Sequence, residues 1–166
     1  MHSMEIYLGL GSNIGDREGQ LRAAVTALAE REVAVRRSAA LYATEPRDFE
    51  DQPWFLNTVI EVRTLLEPEA LLQQCLDIEK IAGRVRDRSK GPRPIDIDIL
   101  FYRDRLIDQP DLIVPHPRYR ERRFVLIPLA ELAPDLSDPV CGLTMQQLLD
   151  LCPDTGEVRR HGDPLL

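Results

Sequence analysis

Gly91-Pro92-Arg93-Pro94-Ile95-Asp96-Ile97-Asp98-Ile99-Leu100-Phe101-Tyr102 is the stretch whose pattern decides the fold. From Ile95 onward the residues alternate: Ile95, Ile97, Ile99 and Phe101 fall on one face, Asp96, Asp98 and Leu100 on the other, the period of a β-strand with one buried side. A strand rises about 3.4 Å per residue, so the two carboxylates stand about 7 Å apart and point the same way. Aspartate is disfavoured in strands, and two on one face need a reason. The spacing suits one or two hard cations; magnesium takes one or two carboxylates together with phosphate oxygens of a substrate. The other reading, an edge strand with a wet polar face, stays open from these residues alone.

Immediately upstream, Arg84, Arg86, Arg88, Lys90 and Arg93 face only Asp87, a net of +4 within ten residues. Pro92 and Pro94 flank Arg93, and a residue before proline is confined to extended conformations, so this guanidinium is presented with little backbone freedom. Downstream, His116 sits between Pro115 and Pro117, followed by Arg118, Arg120, Arg122 and Arg123 against Glu121. The formal net charge of the chain is -7, which opposes non-specific binding to nucleic acid or anionic lipid. Two compact cationic segments on an acidic protein point to a small, multiply charged anion.

Working outward, Glu5 to Leu10 reads as a strand, and Asp16 caps a predicted helix over 17–31 with an apolar stripe at Leu21, Ala24, Val25 and Leu28. Val33 to Ala43 is predicted as one strand. After a loop from Thr44 to Pro53, Trp54 to Arg63 is another strand, with Leu56, Ile60 and Val62 on one face and Phe55, Asn57 and Val59 on the other. Pro68 opens a helix to about Ala82 with Gly83 as its stop. A short hairpin around Asp104 leads to Leu112 to Val114, and helices are expected near 124–132 and 144–152. The polar tail from about residue 154 is expected to fray. The order β-α-β-β-α-β predicts an α+β ferredoxin-like sandwich with extra C-terminal strands and helices, a single domain over 1–166.

No apolar run approaches the roughly 18 residues of a membrane helix, and residues Met1 to Tyr7 lack the pattern of a secretory signal, so a cytoplasmic protein without membrane partners is expected. Three widely spaced cysteines, Cys75, Cys141 and Cys152, suggest neither a disulfide framework nor a zinc site. Gly9, Gly11 and Gly15 do not form the dinucleotide fingerprint, and no P-loop is present; they read as a tight turn from strand to helix. Phe55 and Asn57 share a strand face and offer a π surface beside an amide, as a flat heteroaromatic ligand requires.

In order along the chain, Gly11-Ser12-Asn13, Asp51-Gln52-Pro53, Phe55-Leu56-Asn57, Glu79 with Gly83-Arg84-Val85-Arg86, Gly91-Pro92-Arg93 with Ile95-Asp96-Ile97-Asp98, and Val114-Pro115-His116 resemble the 6-hydroxymethyl-7,8-dihydropterin pyrophosphokinases of folate biosynthesis. The resemblance implies transfer of a diphosphate unit from ATP to the pterin hydroxymethyl group with release of AMP, assisted by two magnesium ions on Asp96 and Asp98. It also implies a catalytic set of Asp96, Asp98, Arg84 and Arg93, and an ATP site of Glu79, Arg84, Arg86, Arg93, Ile99, His116 and Arg122. The implied pterin site is Thr44, Pro46, Phe55, Asn57, Asp96 and Phe124, with the two phenylalanines sandwiching the ring. A monomer acting on small-molecule substrates is expected. Ser89-Lys90 departs from the Arg-Trp pair that members often carry before Gly-Pro-Arg. Two other classes fit part of the pattern: an anion-sensing ferredoxin-like module, which has no need of the two carboxylates, and a metal-dependent nucleotidyl- or glycosyltransferase, which leaves Phe55 and Asn57 without a purpose.

Overall fold

The computed structural model describes residues 5–46, 53–83 and 94–166. Its centre is an antiparallel sheet built on β1 (Ile6–Ser12), which lies between β5 (Asp96–Tyr102) and β4 (Phe55–Arg63). β2 (Ala34–Ser38) and β3 (Leu41–Thr44) both pair with β4 on its far side, and β8 (Val158–Gly162) adds to β3. The order is therefore β5-β1-β4-β3-β8, with β2 also on β4.

One face of this sheet is closed by α1 (Arg17–Ala29) and α2 (Pro68–Ile81). The Asp16 carboxylate accepts the Gly19 N–H at 3.0 Å and starts α1, whose Leu21, Ala24 and Leu28 bury themselves at helical spacing. Pro68 opens α2, Leu71, Cys75 and Ile78 form its buried stripe, and Gly83 follows its end at φ +94°, a left-handed conformation that glycine adopts without a Cβ clash. Both stripes pack on Ile6, Leu8, Leu10, Leu56, Ile60, Ile97 and Ile99.

α3 (Arg123–Leu132) and α4 (Met145–Leu151) pack on the opposite face, where Val125, Leu126, Leu129, Met145 and Leu148 cluster with Tyr7, Val59, Leu100 and Phe101. β6 (Ile107–Gln109) and β7 (Leu112–Val114) make a separate hairpin. A 3-10 turn, Tyr119–Glu121, precedes α3, and its ring residue Tyr119 meets Phe101 edge to face at 5.1 Å. No helix among the described residues is long and apolar enough to cross a membrane.

Five expectations need correction. Phe101 does not share a face with Ile99: the register with β1 shifts between Tyr7 and Leu8, so Leu100 is an extra residue, and Leu100 and Phe101 both turn toward α3 while Tyr102 joins the α1/α2 side. The segment 33–43 is not continuous. It breaks at Ala39–Ala40, where the Thr58 hydroxyl lies 3.0 Å from both carbonyls and neither residue joins the β4 ladder as a strand member. Gly9 and Gly11 are strand residues of β1; only Gly15, at φ +68°, serves the turn into α1. The hairpin turns at Pro110–Asp111, with Arg103–Asp104 only linking β5 to it. The tail is not frayed: β8 pairs with β3 through Val158, Arg159, Arg160 and Gly162, and Leu165 is buried in the α1/α2 core with its N–H donated to Ser38 Oγ at 3.2 Å.

Candidate active site

The strand register decides what the site contains. Gly11 of β1 lies opposite Asn57 on one side and Asp96 on the other, and Gly9 lies opposite Asp98. Asp96 and Asp98 lie on the face occupied by Asn57, with no register shift between them, and both are partly exposed. Gly11, between Asn57 and Asp96, leaves no room for a side chain while Asn57 keeps its position. A Cβ on Gly11 would stand 2.5 Å from Asn57 Oδ1, so the shallow floor between amide and carboxylate exists because that side chain is missing. Two interstrand steps separate Asn57 from Asp96, about 9.5 Å, the width of a fused two-ring heterocycle with its substituents.

Asn57 is oriented as well as placed. Its Nδ2 donates to Thr44 Oγ1 at 2.7 Å, so Oδ1 is left directed over Gly11 as an acceptor. Thr44 and Phe55 are register partners on the same face, Phe55 half-buried and Thr44 buried. Pro46 follows β3 and is half-buried. Neighbouring Asn13 is buried, its amide 3.3 Å from the Pro53 carbonyl, and Arg17 donates to the Trp54 carbonyl at 2.8 Å, which ties the entry of β4 to α1.

Glu79 is buried at the end of α2 and accepts the Ile97 N–H at 2.7 Å. The bond lands between the two aspartates and fixes the strand that carries them. Ile99 does not point into the site. Its side chain is buried in the α1/α2 core, so a nucleotide contact there has to come from the main chain of β5, which is an edge strand. Burial pushes the Cys75 thiol up to about 12, helped by the charges of Glu79 and Asp98, and an inert structural thiol results.

The main-chain N–H of His116 donates to the Leu100 carbonyl at 3.0 Å, and its ring Nδ1 accepts the Arg118 N–H at 3.2 Å. Burial, followed by the nearby charge of Arg122, lowers its pKa to about 4; Asp96 acts the other way and Arg118 adds to the lowering. His116 is therefore neutral at physiological pH, with its proton on Nε2, and offers a hydrogen bond without a charge. The cationic cluster after it sorts itself. Arg120 is bound to the fully buried Asp138 at 3.2 Å, and Arg123 donates to the Gly156 carbonyl at 3.3 Å, which makes both structural. Arg122 lies with its guanidinium 5.7 Å from the centre of the Phe124 ring, in the first turn of α3. Arg84, Arg86 and Arg93 lie outside the described residues.

Among the described residues, the structure thus brings together on one sheet face Thr44, Phe55, Asn57, Asp96 and Asp98, with His116 within electrostatic reach of both Arg122 and Asp96. Gly11, read from the sequence as part of a turn, was not anticipated as the floor between them. The glycine could have been found by asking which residue lies opposite both Asn57 and Asp96 in an antiparallel register.

A family model described as 7,8-dihydro-6-hydroxymethylpterin-pyrophosphokinase matches residues 7–134. The chain belongs to that family. It is 50% identical over 131 residues to the 2-amino-4-hydroxy-6-hydroxymethyldihydropteridine pyrophosphokinase of Methylorubrum extorquens, covering 78% of this chain and 83% of that one. The enzyme of the same name from Pseudomonas aeruginosa is 43% identical over 159 residues, 95% of this chain and 97% of that one. A Pneumocystis carinii folic acid synthesis protein is 44% identical over 140 residues, 84% of this chain but 19% of the relative. Among solved structures, the Plasmodium falciparum HPPK-DHPS with pteroate superimposes with a TM-score of 0.71 at 17% identity, over 91% of this chain and 42% of that one.

Proposed function

We propose that this chain carries out the pyrophosphokinase reaction of its family on the sheet face around Gly11: diphosphate moves from ATP to the hydroxymethyl group of 6-hydroxymethyl-7,8-dihydropterin, and AMP leaves. The observation that carries the reading is the row Asn57, Gly11, Asp96, an oriented acceptor and a carboxylate on either side of a flat glycine floor. The dihydropterin lies over Gly11, its N–H groups toward Asn57 Oδ1 and main-chain groups near Thr44 and Pro46, its ring against Phe55 and Phe124. The hydroxymethyl arm then reaches toward Asp96. ATP lies along the outer edge of β5, with Glu79 bracing that strand and His116, Arg122 and the arginines at 84, 86 and 93 on its phosphates.

Two carboxylates on alternate positions of a rigid strand are a donor set that suits magnesium, which binds through one or two carboxylates and completes its shell with phosphate oxygens and water. Asp96 and Asp98 would hold the ion, and the chemistry it would supply there is neutralisation of phosphate charge and a lowered pKa for the attacking hydroxyl. The chain's own contribution is positioning: a neutral Nε2–H from His116, fixed guanidinium groups, and a hydroxyl aligned with the β-phosphorus.

In this reading residues 1–166 act as one pyrophosphokinase domain, a cytoplasmic monomer. Counting β2 and β3 as one interrupted strand, the core β1-α1-β2/β3-β4-α2-β5 is ferredoxin-like, and β6 to β8, α3 and α4 are additions. The test is AMP release from ATP followed with and without the hydroxymethyldihydropterin and with magnesium chelated. AMP is expected only when pterin and magnesium are both present; AMP formed without pterin would point to a nucleotide hydrolase.

A further inference from the structure

We propose that Glu131, in the last turn of α3, is a positioning residue for the pterin: it clamps α3 onto β3 at the Ala39–Ala40 break and so sets the spacing between Phe124 and the Asn57–Thr44 pair. The inference rests on the assignment of the Phe55–Asn57 face to the pterin.

Each carboxylate oxygen of Glu131 has its own partner. Oε2 accepts the Ala40 N–H at 3.0 Å, and Oε1 accepts the Tyr42 hydroxyl at 2.5 Å. Ala40 is 1% exposed and outside the β4 ladder, and the exposed Glu131 carboxylate is the partner of its N–H. Tyr42 is the register partner of Asn57, and Thr44, two residues on, holds the Asn57 amide. Burial and the Glu131 carboxylate push the Tyr42 hydroxyl up to about 12, which keeps it a donor.

The other restraints on this corner leave one coordinate loose. β4 and β8 hydrogen-bond to the two edges of β3 and fix it within the sheet. The first turn of the helix above it is tied separately by Arg123, whose N–H donates to the Asp154 carboxylate at 3.0 Å and whose guanidinium donates to the Gly156 carbonyl at 3.3 Å, so the coordinate left to Glu131 is the position of the helix's far end. The contacts of Val125, Leu126 and Leu129 with Tyr7 and Val59 are apolar and non-directional. The two bonds of Glu131 are directional, and they act at the C-terminal end of α3, seven residues or about 10.5 Å from Phe124, with Pro128 between them. A swing of α3 about its Arg123 tie therefore alters the angle at which Phe124 and Asn57 face the pterin, while Arg122, next to that tie, and Asp96 and Asp98 on β5 move least.

The experiment compares Glu131→Ala, Glu131→Gln and Tyr42→Phe with the parent protein. Its readouts are equilibrium binding of 6-hydroxymethyl-7,8-dihydropterin, KM for each substrate, and Tm. Glu131→Ala is expected to weaken pterin binding about tenfold, the scale of one or two lost hydrogen bonds, with a much smaller change in KM for ATP. Glu131→Gln should recover most of the loss, because its carbonyl can accept from Ala40 while its amide donates to the Tyr42 oxygen. Tyr42→Phe should lie between. Equal weakening toward both substrates, or a fall in Tm with pterin affinity unmoved, overturns the clamp. Asn57→Ala serves as the reference: unchanged pterin affinity in that variant would remove the site assignment itself, and the clamp with it.

Discussion

Tyr7, Val59, Leu100 and Phe101 share a sheet face with Gly9, Gly11, Asn57, Asp96 and Asp98, and the same three strands supply both groups. The first group is sealed under α3 and α4; the second joins neither apolar cluster and presents glycine, amide and carboxylate instead. The division runs across the strands at the bulge. By adding Leu100, the bulge turns two consecutive apolar side chains toward α3 and ends the polar row at Asp98. One face thus serves as core at one end and as site at the other, and the rigidity of the sealed end is what holds the polar end in shape.

The sharpest way to break this division is Asp98→Ala. A partly exposed carboxylate outside both clusters should cost roughly 10³-fold in turnover while leaving Tm close to the parent's; near-normal AMP production would return Asp98 to the role of a wet strand residue. A finer probe compares two glycines on the same strand. Gly11→Ala places a Cβ 2.5 Å from Asn57 Oδ1 and should raise the pterin KM about ten- to a hundredfold, an overpacking cost of about 1–3 kcal/mol. Gly9→Ala meets only the Leu100 side chain at 3.6 Å, an ordinary contact, and should change that KM much less. Equal effects from the two would mean that the floor is not where the pterin lies.

The smallest expected effect is a pH slope. The His116 ring is neutral in the fold down to about pH 4, whereas the unfolded chain takes up that proton near 6.5. The unfolded state thus binds more protons between those values, so the ligand-free protein loses stability as pH falls through that window. His116→Asn should flatten the slope between pH 6.5 and 4 in thermal melts; an identical slope in the variant would show that His116 does not carry it.

The Ile-Asp-Ile-Asp alternation, the caps at Asp16 and Pro68 and the stop at Gly83 were legible because each depends on local chemistry: period two, a side-chain acceptor, a fixed φ, a missing Cβ. Asp96 with Asp98, and Phe55 with Asn57, were each found on one face of their own strand for the same reason; that the two faces are one came from the register through β1. The bulge at Leu100 was not legible, since an alternating apolar run reads the same with or without one extra residue; the neighbour's register decides it. The break at Ala39–Ala40 depends on Thr58 and Glu131, far away in sequence. β8 gains its place from a partner more than a hundred residues earlier, which a polar tail does not announce. The basic run 118–123 looked uniform, but Asp138 and Gly156 claim two of its members, a sorting that only the fold performs.

Asp138 carries that sorting further. Its fully buried carboxylate accepts the Tyr119 hydroxyl, Arg120 Nε at 3.2 Å, and the N–H groups of Val140 at 2.6 Å and Cys141 at 3.3 Å. A surface bend whose residues are largely solvent-facing is thereby stitched to the turn that leads into Arg122. Such a bend behaves as a strut rather than a hinge, and it is a poor place to splice in foreign sequence: lengthening it would slacken the approach of the chain to the anion-facing side of the molecule.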